Sequence, residues 1–331
     1  MGLKKYTFSF LFVVLAFGLR AQSDDDDTTR IIRFKRLHTV QFNTWLTDVD
    51  LVVNPRIKTK DYAMRFHPNV RGQAGVALGL KRFTIALGFQ IKGTENNEAV
   101  YGKTEYYDFS FGYFQRKFGG EVYYRYFQGM YNNPNDFTPR TIRPDIYLAT
   151  GGFNFFYAQN HRRFSMRSAI SQQEQQLRTA GSFILQTNIQ FRTLKADSSI
   201  IASGIDDPRF FPELSGLRQM RFITLNIRPG YAYNFVSPRG TWFFSPSAYA
   251  GVGSGWYTRQ SHTGFKSGMP LDLSFHSKTI AGYNHQRWFL SVFYVYDGSI
   301  NLFKTSFVNI NTHSVGLNLG YRLTGIGIKW L

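Results

Sequence analysis

The chain has 331 residues, of which 18% are aromatic, with 33 Phe and 20 Tyr beside 30 Gly and no Cys. Aromatic residues favour β-strands, and glycine favours turns and close backbone contacts. The mean hydropathy of -0.27 excludes a polytopic helical membrane protein, because each helical span needs about 20 mostly apolar residues. It leaves open a membrane β-barrel, in which only alternate residues face lipid.

The N-terminus has the features of a secretory signal peptide. Lys4 and Lys5 form a short positive region, residues 6–19 are an apolar stretch, and small or polar residues follow at 21–23. About 14 apolar residues are too few for a helix to cross a membrane. We therefore predict a signal peptide over residues 1–21, cleaved near Ala21, and export to the outer membrane of a Gram-negative bacterium.

The rest of the chain is predicted to contain a leader and one domain. Residues 22–36 begin with a run of four aspartates and then become basic, which predicts a disordered periplasmic leader. Adjacent carboxylates lack the ligand spacing of a calcium loop. Residues 37–331 are predicted to form a single β-barrel domain.

The strongly basic charge restricts the classes of partner. The formal net charge is +18 at pH 7 and falls to +15 when Lys4, Lys5 and Arg20 leave with the signal peptide. Such a charge suits nucleic acid, anionic lipid or an anionic solute, and export argues against nucleic acid. We expect contact with outer-membrane lipid and glycolipid and with small anionic solutes, and no cofactor. The sequence does not name a protein partner in the envelope.

Alternation of apolar and polar residues predicts the strands. In residues 182–193 the apolar and polar side chains fall on opposite faces, and the same pattern recurs along the chain. Twelve strands are predicted, at 71–81, 82–92, 105–116, 118–129, 146–159, 163–171, 180–194, 221–236, 241–257, 271–285, 287–299 and 312–323. Residues 39–53 could add to them, so the predicted range is 10–14.

The pattern indicates an all-β, antiparallel up-and-down transmembrane β-barrel. The strands are long, tyrosines gather near their ends, and short links alternate with long ones. The long links are predicted at 93–104, 131–144, 196–220, 258–270 and 300–311. A soluble periplasmic β-protein remains an alternative, because alternation alone does not say which face meets the core.

Basic residues lie on the polar faces of the predicted strands. Charge facing lipid costs about 2–4 kcal/mol at the midplane, so these side chains are expected to line the interior. They would form an anion-selective pore, or they would pair with acids such as Glu105, Asp108 and Glu121 and fill the barrel. The basic candidates are Arg125, Arg167, Arg192, Arg228, Lys278 and Arg322.

The spacing of histidine and serine does not indicate a catalytic site. On one strand face the two must be two residues apart, and none of the seven histidines has a serine two places after it. A triad assembled across strands from His161, Ser165 and Asp145 is left as a weak alternative. No metal site is predicted beyond a weak calcium hypothesis at Asp206 and Asp207.

Five segments carry a family resemblance: residues 62–69 (YAMRFHPN), 160–169 (NHRRFSMRSA), 179–183 (TAGSF), 228–234 (RPGYAYN) and 282–285 (GYNH). Together they resemble the DUF4421 family of exported Bacteroidetes proteins, a family that has no activity to transfer. The resemblance runs from about residue 35 to 325 and implies an envelope location. We expect a non-enzymatic outer-membrane pore or envelope scaffold. A lipid-modifying hydrolase or acyltransferase is the enzymatic alternative.

Overall fold

A computed structural model describes residues 29–35, 38–55, 62–134, 139–261, 264–304 and 306–323. The predicted signal peptide lies outside these residues. The strands are β1 Ile31–Arg33, β2 His38–Pro55, β3 Met64–His67, β4 Gly72–Leu80, β5 Phe83–Gln90, β6 Glu105–Phe114, β7 Phe118–Asn132, β8 Ile142–Ala158, β9 Glu174–Gln176, β10 Ala180–Lys195, β11 Gln219–Val236, β12 Trp242–Ser261, β13 Gly264–Gly268, β14 Leu271–Asn284, β15 Trp288–Leu302 and β16 Ser306–Leu323. Two short helices are α1 Glu98–Tyr101 and α2 Met166–Ile170.

Twelve of the described strands form a closed antiparallel barrel, as predicted. The order is β2, β4, β5, β6, β7, β8, β10, β11, β12, β14, β15 and β16. Closure comes from β16 pairing with β2 along their whole lengths, from Ser306 opposite Pro55 to Leu323 opposite His38. Strands β3 and β13 pair only at the rim, and β1 pairs with β9 in a separate two-stranded sheet.

The count of twelve is right although one predicted strand is wrong. Residues 163–171, predicted as a strand, contain α2, which begins where the Ser165 side chain accepts a hydrogen bond from the backbone of Ser168. The twelfth strand is β2, which covers the optional 39–53. The prediction of a long link at 300–311 is also wrong, because β15 ends at Leu302 and β16 begins at Ser306.

The two ends of the barrel differ in their links. At one end, called the turn end, short turns at 81–82, 115–117, 237–241 and 285–287 join neighbouring strands, and residues 159–179 form a longer link between β8 and β10. At the opposite end, called the loop end, the links include 91–104, 133–141 and the cap segment, residues 196–218. Part of the predicted disordered leader is ordered, because β1 lies in it.

The distribution of side chains is that of a transmembrane barrel. On β10 the inward residues Gln186, Asn188 and Gln190 are at most 4% exposed. Outward apolar side chains are 49–60% exposed on several strands, including Phe42, Phe89, Ile223, Ile227 and Leu317. A soluble barrel would bury this apolar face instead, so the soluble alternative does not fit. No helix in the described ranges is long and apolar enough to cross a membrane.

Apolar side chains inside the barrel gather in two clusters, one at each end. At the turn end, Phe164, Met166 and Ala169 of the 159–179 link pack on Phe156 of β8 and Tyr249 of β12. At the loop end, the buried apolar side chains of the cap segment are Ala196, Ile200, Ile201, Ile205, Phe211, Leu214 and Leu217. They pack on inward residues of β2, β7, β8 and β16, so the cap segment lies inside the mouth of the barrel.

We expect a positive charge on the outward face to destabilise the barrel. Ile227 is 54% exposed within the apolar face, so Ile227→Arg should lower the free energy of unfolding in lipid vesicles by about 2–4 kcal/mol. Denaturant titration of the reconstituted protein measures this change. Gln260→Arg, an exposed polar position on β12 near the loop end, is the control and should have little effect. Equal stability of the two variants would contradict lipid contact at Ile227.

Candidate functional site

A polar chamber lies inside the barrel between the two apolar clusters. Its volume is about 390 Å³. Inward residues of most wall strands line it, because the side chains of a strand alternate between lipid and interior. Ile170 and Gln172 of the 159–179 link and Leu148 and Ile310 of the loop-end cluster also line it. The chamber is therefore bounded by both clusters.

Charged side chains of both signs line the chamber. The cations are Arg125, Arg192 and Lys278, the carboxylates are Asp108, Glu121 and Asp297, and His276 is also present. Three of the six basic residues singled out from the sequence thus face this space. Arg228 and Arg322 are each 1% exposed and do not line it. Arg167 lies on α2 and not on a strand, so its expected position on a strand face is wrong.

Two contacts to carboxylates join opposite residues on neighbouring strands. The Arg125 Nε lies 2.8 Å from Asp108 Oδ2, which also accepts a hydrogen bond from the Tyr106 hydroxyl at 3.0 Å. The His276 Nδ1 lies 3.1 Å from Asp297 Oδ2. Asp108 therefore compensates Arg125, which is the pairing alternative expected from the sequence, whereas Glu105 is exposed at the loop end.

A hydrogen-bond network covers the part of the chamber wall formed by β7, β8 and β10. Arg192 Nη2 donates to Gln190 Oε1 at 2.8 Å, and Gln190 Nε2 donates to the Tyr123 hydroxyl at 3.0 Å. Asn188 donates to the same hydroxyl at 3.4 Å and to Asn154 at 2.8 Å. These amides hold Tyr123 and Arg192 in place, so the polar wall is fixed by its own side chains.

The plug, defined as residues 29–35 and 159–179, closes the turn end. It is built around Glu174 of β9, which is 0% exposed. One carboxylate oxygen accepts from Ser165 Oγ at 2.6 Å and Arg116 Nε at 3.2 Å, and the other accepts from Arg167 Nη1 at 3.2 Å. Arg33 of β1 lies 3.5 Å away. A single buried carboxylate therefore joins the leader, the link and the β6–β7 turn.

Further contacts tie the plug to the barrel wall. Arg322 of β16 donates to the backbone carbonyls of His285 and Gln172 and to Asn284 Oδ1, and its guanidinium lies 3.7 Å from the centre of the Phe34 ring. Asn234 of β11 donates to Gln176 Oε1 at 2.8 Å. The plug is thus held by buried polar contacts in addition to the apolar packing of the turn-end cluster.

We expect the plug to depend on the Glu174 carboxylate. Glu174→Gln removes the negative charge that Arg33, Arg116 and Arg167 contact, and breaking a buried ion pair costs about 3–5 kcal/mol. The free energy of local opening should fall by this amount, measured as faster proteolysis within residues 159–179 under native conditions. Glu105→Gln, at an exposed carboxylate, is the matched control. Equal cleavage of both variants would show that the ion pairs do not hold the plug.

A second charged group lies on the outer side of the loop end, where β3 crosses between β2 and β7. His67 lies 3.6 Å from Asp48 and 3.8 Å from Asp50, and its ring faces Tyr131. Arg65 lies 3.9 Å from Asp50. Burial lowers the pKa of His67, but the hydrogen bond to Asp48 and the charges of both aspartates outweigh it, so the pKa lies above 6.5. Met64 and Phe66 of β3 meanwhile join the loop-end cluster.

The attachment of β3 should therefore weaken as pH rises. Because the folded pKa is raised, the stabilisation is fully present below about pH 6.5 and is lost as the pH passes the folded value. Amide exchange of residues 64–67, corrected for its intrinsic pH dependence, should show less protection at about pH 8 than at about pH 6. His67→Gln should abolish the difference and His285→Gln, at the turn end, should preserve it. Protection independent of pH in the unmodified chain would contradict this role.

The structure does not assemble the alternative triad. Ser165 is buried against Glu174 at the turn end, whereas Asp145 pairs with Arg143 at 2.8 Å near the loop end of β8. The 13 residue steps from Asp145 to the end of β8 at Ala158 span about 43 Å at 3.3 Å per step. His161 follows β8 at the turn end, so the three side chains do not meet.

Asp206 and Asp207, the candidate calcium ligands, contact other groups of the protein. Asp207 pairs with Arg209 at 2.6 Å, and Asp206 accepts from the backbone of Gly216 at 2.7 Å. Within the described ranges, no three His, Cys, Asp or Glu residues are grouped so as to hold a metal ion. Sequence analysis missed Glu174, whose one available signal is a single acid within the polar run of residues 172–176.

The model of the DUF4421 family, described as a domain of unknown function, matches residues 25–323. No curated protein matches the chain. Similar solved structures include the outer membrane protease OmpT from Escherichia coli, with 7% identity, 88% of this chain and 99% of that chain covered, and a TM-score of 0.40. The β domain of the Bordetella autotransporter BrkA is 10% identical, with 87% of this chain and 100% of that chain covered, and the TM-score is 0.40. At these values neither carries a functional argument.

Proposed function

This chain belongs to the DUF4421 family, and we propose that it is a non-enzymatic, gated channel of the outer membrane for a small polar solute. The observation that carries the proposal is the polar chamber bounded by an inner plug and a cap segment. A volume of about 390 Å³ falls within the range of roughly 300–1,000 Å³ typical of small-molecule sites. The chamber is therefore the proposed solute site.

Both closures are links, and this supports gating. Strand β8 pairs directly with β10 from Tyr147 opposite Lys195 to Ala158 opposite Ile184, and β10 pairs directly with β11. Residues 159–179 and the cap segment thus join strands that are already paired to each other. Either link can move without breaking a hydrogen-bond ladder of the wall, so opening does not require the barrel to unfold.

The expected location and orientation follow from the outward face and the links. The exposed apolar side chains of the wall strands suit the hydrocarbon region of a membrane, and bacterial barrels place short turns in the periplasm and long loops outside. We propose that the plug faces the periplasm and the cap segment faces the exterior, after signal-peptide cleavage near Ala21. Outer-membrane lipid and glycolipid then surround the wall.

The chamber carries charges of both signs, which favours a polar solute as its ligand and does not favour selection of ions by the sign of their charge. Three cationic and three carboxylate side chains line the space, so the lining does not impose a strong field of one sign. Anion preference, expected from the sequence, would then arise from one local contact. The separation of His161, Ser165 and Asp145 supports the non-enzymatic proposal over a lipid hydrolase.

Single-channel recording in planar bilayers tests the proposal. The unmodified protein should be mostly closed, because plug and cap both obstruct the interior. Replacing residues 162–178 by a short Gly-Ser linker should open the turn end, and Phe211→Asp with Leu214→Asp should loosen the apolar cap by placing charge in it. Combining the two changes should give stepwise conductance.

Lys92→Gln, on an exposed link, is the control and should remain as closed as the unmodified protein. Folding of every variant is checked by the difference in gel migration between heated and unheated samples. A combined variant that is folded but conducts no ions would contradict the channel proposal.

A further inference from the structure

Arg192 differs from the other charged groups of the chamber in its contacts. Arg125 is paired with Asp108, and Asp297 with His276. Arg192 lines the same chamber and has no carboxylate oxygen within 4.0 Å among the described residues. Its side chain donates a hydrogen bond to the neutral amide of Gln190. The positive charge of Arg192 is therefore not compensated by direct contact with a carboxylate of the described chain.

The guanidinium also has an unused donor. Arg192 is 4% exposed, and its Nε has no hydrogen-bond partner. Leaving a buried charged donor unsatisfied is costly, so a chamber-facing arginine of this kind calls for an acceptor. Next to it, the Tyr123 hydroxyl accepts from Gln190 and Asn188, which leaves its own proton available to donate.

The surrounding charges strengthen the case for a negative group. Arg228, at 1% exposure, acts electrostatically on Arg192 and on Asp297. Its Nε donates to the neutral Ser274 Oγ at 2.8 Å, and its Nη2 is buried without a partner. Lys278 also lines the chamber and forms no ion pair within 4.0 Å in the described ranges. Asp272 and Asp297 both act electrostatically on Arg192, and neither hydrogen bonds to it.

We infer that Arg192 is the docking point for an oxyanion, the carboxylate or phosphate group of the small solute that enters the chamber. This inference rests on the proposed function, because it takes the chamber as the solute site. Guanidinium groups bind carboxylate and phosphate oxygens through charge-assisted hydrogen bonds. Arg192 Nε and the Tyr123 hydroxyl are donors to the bound oxygens, and the remainder of the solute occupies the chamber between Lys278 and Glu121.

Equilibrium dialysis of the full-length protein in detergent tests this site. The probes are labelled succinate for the carboxylate arm, inorganic phosphate for the phosphate arm, and glucose as the uncharged reference. At least one oxyanion should bind more tightly than glucose. Arg192→Gln should weaken that binding about tenfold to a hundredfold, as expected for the loss of a charged hydrogen bond, and Arg192→Lys should restore part of it.

The matched control is Arg221→Gln, an arginine on the outward face of neighbouring β11, which should bind as the unmodified protein does. Wild-type affinity in folded Arg192→Gln, or oxyanions that bind no better than glucose, would overturn the inference. Conductance separates the two proposals. If an oxyanion binds but no variant conducts ions, the oxyanion site is retained and the channel proposal is wrong. If a variant conducts ions but no oxyanion binds, the channel proposal is retained and the oxyanion site is wrong.

Discussion

The pairing of β2 with β16 is the constraint on which the rest of the structure depends. Within a bilayer no water is available to satisfy unpaired backbone groups, so a sheet that crosses it must have no free edge. The two strands meet over their full 18 residues, from His38 opposite Leu323 to Pro55 opposite Ser306. Closure also defines an inside, and it places every second side chain of each wall strand in a space isolated from lipid. The polar faces of the strands consequently face one another across the barrel.

This polar interior is stable only where its charges are compensated. A buried ion costs several kcal/mol unless partners surround it, and the molecule meets this cost in two ways. Arg125 and Asp108 lie directly opposite on neighbouring strands, so the wall compensates itself. At the turn end, arginines of the leader, the 159–179 link and the β6–β7 turn instead meet a carboxylate outside the wall, Glu174 of the plug. Removing the plug would therefore remove a carboxylate partner of Arg116 as well as an obstruction, so plug position and the charge of the β6–β7 turn are coupled.

Sequence patterns predicted the wall far better than what fills it. Alternation is a property of each strand by itself, so β10 and β11 were recognisable and the inward position of Arg192 followed. The segment 163–171 was predicted as a strand because it is short and its polar residues fall on one side. A helix of five residues is too short for its periodicity to be told from that of a strand. Glu174 and the apolar cap residues were missed for a different reason. Their roles depend on contacts with residues such as Arg116 and Val49, which are distant in sequence, and no local pattern encodes them.

The two closures of the chamber respond to different physical variables because they are made of different contacts. Besides its apolar packing in the turn-end cluster, the plug is held by Glu174, Arg322 and amide hydrogen bonds, so competing charge or a ligand that takes over an arginine contact weakens it. The cap segment is held by apolar packing around Phe211 and Leu214, which depends little on charge and is lost only when apolar surface is exposed. Arg192 lies on the same inward face of β10 as Leu194, which belongs to the loop-end cluster, so an oxyanion held there lies near the loop end of the barrel. The arginines that contact Glu174 belong instead to the leader, the 159–179 link and the β6–β7 turn. The solute site and the plug therefore depend on different sets of arginines.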